Sequence, residues 1–130
     1  MLLVDTSIWI DLLGKRPSYQ LEPEQLFQLG VCPPVIQELH QGFPADSRYE
    51  KLKASFAALP CFSPVLTTDH FVQAAEIYRS GRRRGLTLRS SVDCLIAVIA
   101  LENNVAIWHN DRDFDAISTY TDLRVTPKPP

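Results

Sequence analysis

The run CLIAVIAL, residues 94 to 101, is apolar at every position, and it limits what the chain can become. Eight residues are too few to cross a bilayer, which takes about 20. Extended in both directions it reads as a helix, VDCLIAVIALENN, opened by Ser90-Ser91. A helix apolar nearly all round must be wrapped by other elements, so this one is predicted to be central. A chain of 130 residues can supply the wrapping as one domain. At 45% apolar and 22% charged residues it has an ordinary globular composition. Residues 1–130 are therefore read as a single domain, with 126–130 (TPKPP) a flexible C-terminal tail.

Short apolar runs alternate with helical patterns around that centre. Leu2 to Val4 is a buried strand feeding the helix IWIDLL, which Gly14 and Pro17 stop. Glu22 to Leu29 is a short helix closed by Gly30, and Val31-Cys32 a brief strand. Pro33-Pro34 opens the helix VIQELHQGF, since proline suits a first turn. Ser47 to Leu59 has helical spacing, and Phe62 to Leu66 reads as a strand. Thr68 caps a long helix with Phe71, Val72, Ala75, Ile77 and Tyr78 as its apolar positions, ending near Gly81. Val105 to Trp108 is a strand, Asp111 to Thr119 a helix, and Leu123 to Val125 a last strand. Strands alternating with helices predict a three-layer α/β/α sandwich with a mostly parallel central sheet. Trp108 reads as core, and Trp9 as core or dimer interface; His40 and His70 read as surface or cap residues.

Cys32, Cys61 and Cys94 are odd in number, widely spaced and set among apolar residues, which points to reduced thiols in a cytosol. MLLVD has neither the basic nor the apolar region of a signal peptide, so the expected location is cytoplasmic, with no membrane association. The net charge of −2 does not mark a nucleic-acid binder, but Arg79, Arg82, Arg83, Arg84 and Arg89 form a local basic stripe.

The acids carry the chemistry. Asp111, Asp113 and Asp115 spell the D-x-D-x-D that begins a calcium loop. Such a loop needs glycine at its sixth position and glutamate at its twelfth, and here those are Ala116 and Asp122. Acids in a first helical turn gain about 0.3–1 kcal/mol each from the macrodipole, which accounts for Asp113 and Asp115. Asp111, at the exit of a strand, is not explained that way, nor is Asp5, which ends one. Ser90-x-x-Asp93 is also the pattern of a capping box, and Glu38, beside the stripe Val35, Leu39 and Phe43, is equally a solvated helix residue. The residues alone leave both readings open.

Taken together, Asp5-Thr6-Ser7, Glu38-Leu39 with Gly42, Asp93 with LIAVIALENN, and NDRDF at 110–114 resemble the PIN domain. Size and motif order are similar to the VapC-like ribonuclease toxins of bacterial type II toxin–antitoxin pairs. The resemblance runs from Leu2 to about Val125, with the four acids separated by 33, 55 and 18 residues. It implies that Asp5, Glu38, Asp93 and Asp111 form a shared catalytic and metal site. Asp5 and Asp93 would be the main ligands, Asp111 a third or water-mediated one, and Glu38 would hold a second ion or position water. Thr6 would orient Asp5 or a metal-bound water, Asn110 would lie behind the ligands, and Asp113 would be an auxiliary. Oxygen ligands suit Mg²⁺ or Mn²⁺, one or two ions. The implied partners are an RNA substrate, a cognate VapB-like antitoxin and a second copy in a homodimer. Arg82, Arg83, Arg84 and Arg89 would meet RNA or the antitoxin. His109 departs from the pattern, since many members carry threonine or serine there.

The physics agrees with the resemblance, because converging carboxylates repel one another unless cations relieve them. A divalent ion there activates water and polarises a phosphoryl oxygen, as phosphodiester hydrolysis requires. Two alternatives differ in class. A non-catalytic PIN-fold scaffold has no need of the full acid set. A metal-dependent phosphatase expects D-x-D after the first strand, where Asp5 is followed by Thr6-Ser7, and a phospho-receiver expects a late lysine, where only Lys128 occurs.

Overall fold

The computed structural model describes residues 1–130. In chain order the elements are β1 (Leu2–Val4), α1 (Thr6–Leu13), α2 (Pro23–Leu26), β2 (Leu29–Gly30), α3 (Pro33–Gly42) and α4 (Arg48–Ala57). Then come α5 (Thr68–Arg83), α6 (Ser91–Asn103), β3 (Ala106–Trp108), α7 (Arg112–Ser118) and β4 (Val125–Thr126). The strands make one parallel sheet in the order β2-β1-β3-β4. Leu2, Leu3 and Val4 pair with Ala106, Ile107 and Trp108, and Leu2 and Leu3 also pair with Leu29 and Gly30. The chain steps one way from β1 to β2 and the other way on to β3 and β4. Right-handed crossovers then put the connecting helices on both faces, which gives the three-layer α/β sandwich expected. The order reverses between β1 and β3. The crevice beyond the carboxyl ends of strands at such a point is where open α/β sheets bind ligands.

Helix α6 fills the centre. Every residue from Asp93 to Ala100 is buried. It packs against α3, α5 and α7 and against β3. Asn104 closes it in the left-handed region at φ 52°, and Arg124 donates to the Asn104 carbonyl across 2.7 Å. Cys32 and Cys94 are buried and Cys61 is half-buried, all three as free thiols. Trp9 lies in the core, edge-on to Phe56 with ring centroids 5.1 Å apart. No helix is long and apolar enough to cross a membrane.

Several elements differ from their sequence reading, each for a local reason. The helix expected over 22–29 spans only Pro23–Leu26, and the strand lies at Leu29–Gly30, two residues before the expected Val31-Cys32. Val31 makes an isolated bridge to Cys61, and Cys32 instead caps α3. The early strand start depends on Gly30. A β-carbon there would lie 2.5 Å from the Phe62 ring and 3.0 Å from the Pro60 carbonyl oxygen. Gly30→Val is accordingly expected to cost about 1–3 kcal/mol of overpacking. The measure is a lowered urea midpoint at unchanged m-value, and an unshifted midpoint would refute it.

Phe62 to Leu66 is not a strand. Its one bridging neighbour is Cys61, and Ser63, at φ 47°, turns the chain away before Pro64. On α5 the cap is Thr67, not Thr68, and the helix continues past Gly81 to Arg83. Its inward stripe is His70, Ala74 and Gly81, while Phe71 and Val72 are exposed. Small residues bring α5 close to its neighbours, and the Tyr120 hydroxyl lies 2.8 Å from where a Gly81 β-carbon would be. His70 is a cap residue, yet a buried one. Its Nδ1 accepts from the Thr67 N–H at 3.0 Å, and its Nε2 lies 2.9 Å from Glu102 Oε2. The last strand is Val125–Thr126, not Leu123 to Val125, because Leu123 turns into the core. Thr126, at the head of the proposed tail, thus belongs to β4, and Tyr19 donates to the Pro127 carbonyl at 3.2 Å.

Candidate functional site

Strands β1 and β3 end side by side, and each delivers an acid to the crevice between them. Asp5 follows Val4 directly, and its N–H still bonds the Trp108 carbonyl at 3.0 Å. It is buried at the N-terminus of α1. Burial raises its pKa, while the Ser7 hydroxyl, donating to Oδ2 at 2.9 Å, and the N–H groups of Thr6 and Ser7 lower it. Nearby Asp111 raises it further. The hydroxyl that orients Asp5 is therefore that of Ser7. Thr6, expected in that role, instead donates to Glu38 Oε1 at 3.0 Å. Successive residues at a helix start face different ways, so one hydroxyl reaches back to β1 and the other across to α3.

Asp93 enters from α6. A capping box would use its carboxylate to accept from the Ser90 N–H, but that N–H goes to Asp113 Oδ2 at 3.1 Å. The same oxygen accepts from the Arg89 N–H at 2.8 Å. Asp113, a full helix away in sequence, does the capping and leaves Asp93 free. Asp93 is 8% exposed, and its buried Oδ2 has no hydrogen-bond partner. Its pKa is pushed up to about 8, first by burial, then by Asp111, Asp5, Asp113 and Glu38 in that order. The charges of Asp5, Glu38, Asp111 and Asp113 thus all bear on the Asp93 carboxyl, but only Asp111 and Asp113 bring an oxygen into close convergence with it.

Asp111 caps α7, with Oδ1 accepting from the Asp113 N–H at 2.9 Å. Its own N–H donates to His109 Nδ1 at 2.9 Å, which assigns the ring proton to Nε2. That Nε2 faces Asp115 Oδ1 at 3.2 Å without hydrogen-bond alignment. His109 thus supports the Asp111 backbone and Asp115 lies outside the cluster. Asn110 is exposed and makes no side-chain hydrogen bond, so nothing ties it to the acids.

One oxygen from each of Asp93, Asp111 and Asp113 lies within 4.8 Å of the others. An unpartnered buried carboxylate oxygen in such a group is costly unless something positive is held beside it. Hard oxygen donors of this kind suit a divalent cation. Asp113 Oδ2 is committed to two N–H groups and Asp111 Oδ1 to one, whereas Asp93 Oδ2 has no partner.

The basic stripe divides. Arg82 stacks over Tyr78 at 5.9 Å and Arg84 over Tyr120 at 5.3 Å, while Arg83 is exposed. None of the three pairs with a site acid. Arg89 does, with Nη2 3.8 Å from Asp111 Oδ1 and Nε 3.9 Å from Asp113 Oδ1. The role of Ser7 was not foreseen, and the basic stripe was expected near the acids as a whole, where only Arg89 of it lies. The phase of α1 decides the first and the Asp113 clasp the second, and neither leaves a local sequence signal.

The family model described as "PIN domain" matches residues 2–119. The chain is 35% identical over 130 residues to "Ribonuclease VapC11" of Mycobacterium tuberculosis, covering 95% of this chain and 96% of that one. "VapC ribonuclease Mb1587" of Mycobacterium bovis is similar to the same degree, 35% over 130 residues. Among solved structures, FitAcB from Neisseria gonorrhoeae superposes with a TM-score of 0.70 at 18% identity, covering 96% of each chain. VapBC2 from Rickettsia felis, bound to a DNA fragment from their promoter, gives 0.69 at 19%, again covering 96% of each. The structural likeness speaks for the fold, and the sequence match extends over the acids themselves: this chain belongs to the PIN domain family.

Proposed function

We propose that the chain is a metal-dependent endoribonuclease that hydrolyses RNA phosphodiester bonds and serves as the toxin of a VapBC-type toxin–antitoxin pair. The observation that carries this reading is Asp93, a buried carboxylate with an unpartnered oxygen and a pKa near 8, facing Asp5, Glu38 and Asp111. The relatives named as VapC ribonucleases support the activity, and the VapBC complex among the structural neighbours supports the partner.

Asp5, Asp93 and Asp111 would hold Mg²⁺ or Mn²⁺, with Glu38 holding a second ion or positioning the attacking water. Bound there, an ion would lower the pKa of water and draw charge from the phosphoryl oxygen. The chain's own residues do the rest. Ser7 fixes Asp5, Thr6 fixes Glu38, and the Asp113 clasp sets the height of α6 and with it Asp93. Asp113 is thus an auxiliary by support. Arg82, Arg83 and Arg84 offer an exposed cationic face to RNA phosphates or to the antitoxin. The working form is a single-domain cytoplasmic homodimer restrained by a VapB-like antitoxin.

Incubation of the purified chain with RNA tests this reading. Cleavage is expected with Mg²⁺ or Mn²⁺ and none with EDTA. Cleavage that survives EDTA would reject the metal, and no cleavage with either ion would reject the ribonuclease.

A further inference from the structure

Arg89 stands apart from the other arginines. Its backbone is fixed, because its N–H donates to Asp113 Oδ2 at 2.8 Å. Its side chain is 56% exposed and makes no hydrogen bond. At 3.8 and 3.9 Å the guanidinium lies against Asp111 and Asp113 by charge alone, beyond hydrogen-bond range. All five N–H donors of that rigid fork remain available, and the fork matches a phosphate. A cation so placed sits over two of the three carboxylates whose oxygens converge within 4.8 Å.

Resting on the ribonuclease reading, we propose that Arg89 alternates between two anions: the Asp111–Asp113 pair in the resting protein, and the RNA phosphate during cleavage. A divalent ion and a guanidinium would repel each other at one pair of carboxylates, so Arg89 would swing outward once Asp111 and Asp113 held an ion. The fixed backbone keeps it at the mouth, where the phosphate that the ion attracts arrives. The exchange forms and breaks no covalent bond. Arg89 thus serves first as an intramolecular counter-ion and then as a phosphate clamp.

The two states give opposite signs for one substitution. Removing a competing, half-exposed cation should tighten Mn²⁺ binding of Arg89→Ala by about fivefold in calorimetry on metal-free protein. Removing a phosphate donor should lower its kcat/KM for RNA by about thirtyfold, with Arg89→Lys recovering part of the loss. A purely structural role would weaken both properties and give no recovery with lysine. Parent-like cleavage by Arg89→Ala overturns the proposal, and so does Mn²⁺ binding that is unchanged or weaker. Should the parent itself cut no RNA with Mn²⁺, the ribonuclease reading and the clamp fall together, while calorimetry still decides the counter-ion.

Discussion

The Asp93→Asn protein is expected to melt above its parent at pH 8 and to cut RNA about a thousandfold more slowly. Both effects come from one carboxyl group. The ordinary Asp93 value is 3.8, and in the folded chain it stands at about 8. Below about pH 4 the group is protonated in both states and costs nothing. Between there and about pH 8 the folded state binds a proton that the unfolded state has released, so stability falls as pH rises through that window. A neutral amide does not titrate and escapes the loss. After discounting for solvent screening, the gain at pH 8 is about 1–3 kcal/mol. Asp5→Asn should act in the same direction but more weakly, because Ser7 and two N–H groups favour the charged form of Asp5.

The measurement is a melting curve at pH 5 and pH 8 without metal, then with Mn²⁺. The advantage of the variant should shrink at pH 5. Mn²⁺ should raise the parent's midpoint and leave the variant's where it was. A variant that melts below its parent at pH 8, or cuts RNA within tenfold of it, would show that Asp93 is not the strained ligand. A site whose disarming stabilises the fold is one retained for its chemistry.

Asp113→Ala is expected to be the most damaging change to the fold among the acids, at about 2–4 kcal/mol. One buried oxygen accepts from both Arg89 and Ser90, and alanine leaves the two N–H groups without a partner where α6 begins. Cleavage should fall as well, since Asp93 lies three residues beyond the clasp. Asp113→Asn keeps an acceptor and should recover part of the stability. Asp115→Ala, at an exposed position, should change it by less than about 0.5 kcal/mol. Equal denaturant midpoints for Asp113→Ala and the parent would remove the clasp from the account.

These residues also mark how far the sequence could be read. Asp5 and Asp111 stood out as acids at strand exits because hydrophobic runs fix those ends, whereas Asp93 and Glu38 were joined to them only by the resemblance to the PIN domain. The whole parallel architecture followed from the same runs. What stayed hidden depends on distances between segments. Nothing near Ser90 says that its N–H will bond Asp113 and not Asp93. Thr6 and Ser7 are adjacent and chemically alike, and only the turn of α1 assigns one to Glu38 and the other to Asp5. The strand start at Leu29 depends on a ring, Phe62, that lies against Gly30 from another part of the chain. Phe71 and Val72 match helical spacing as well as Ala74 does, yet packing demanded the smaller side chain.

The pairing of Leu2 with Ala106 has a consequence for the protein's synthesis. The first strand leaves the ribosome early and must wait for its neighbour. At about 5–20 residues per second, that wait is roughly 5–20 seconds. Through most of it the growing chain carries Asp5 and Glu38 but not Asp111. The acids at the ends of β1 and β3 can therefore meet only after β3 has been made and has paired with β1.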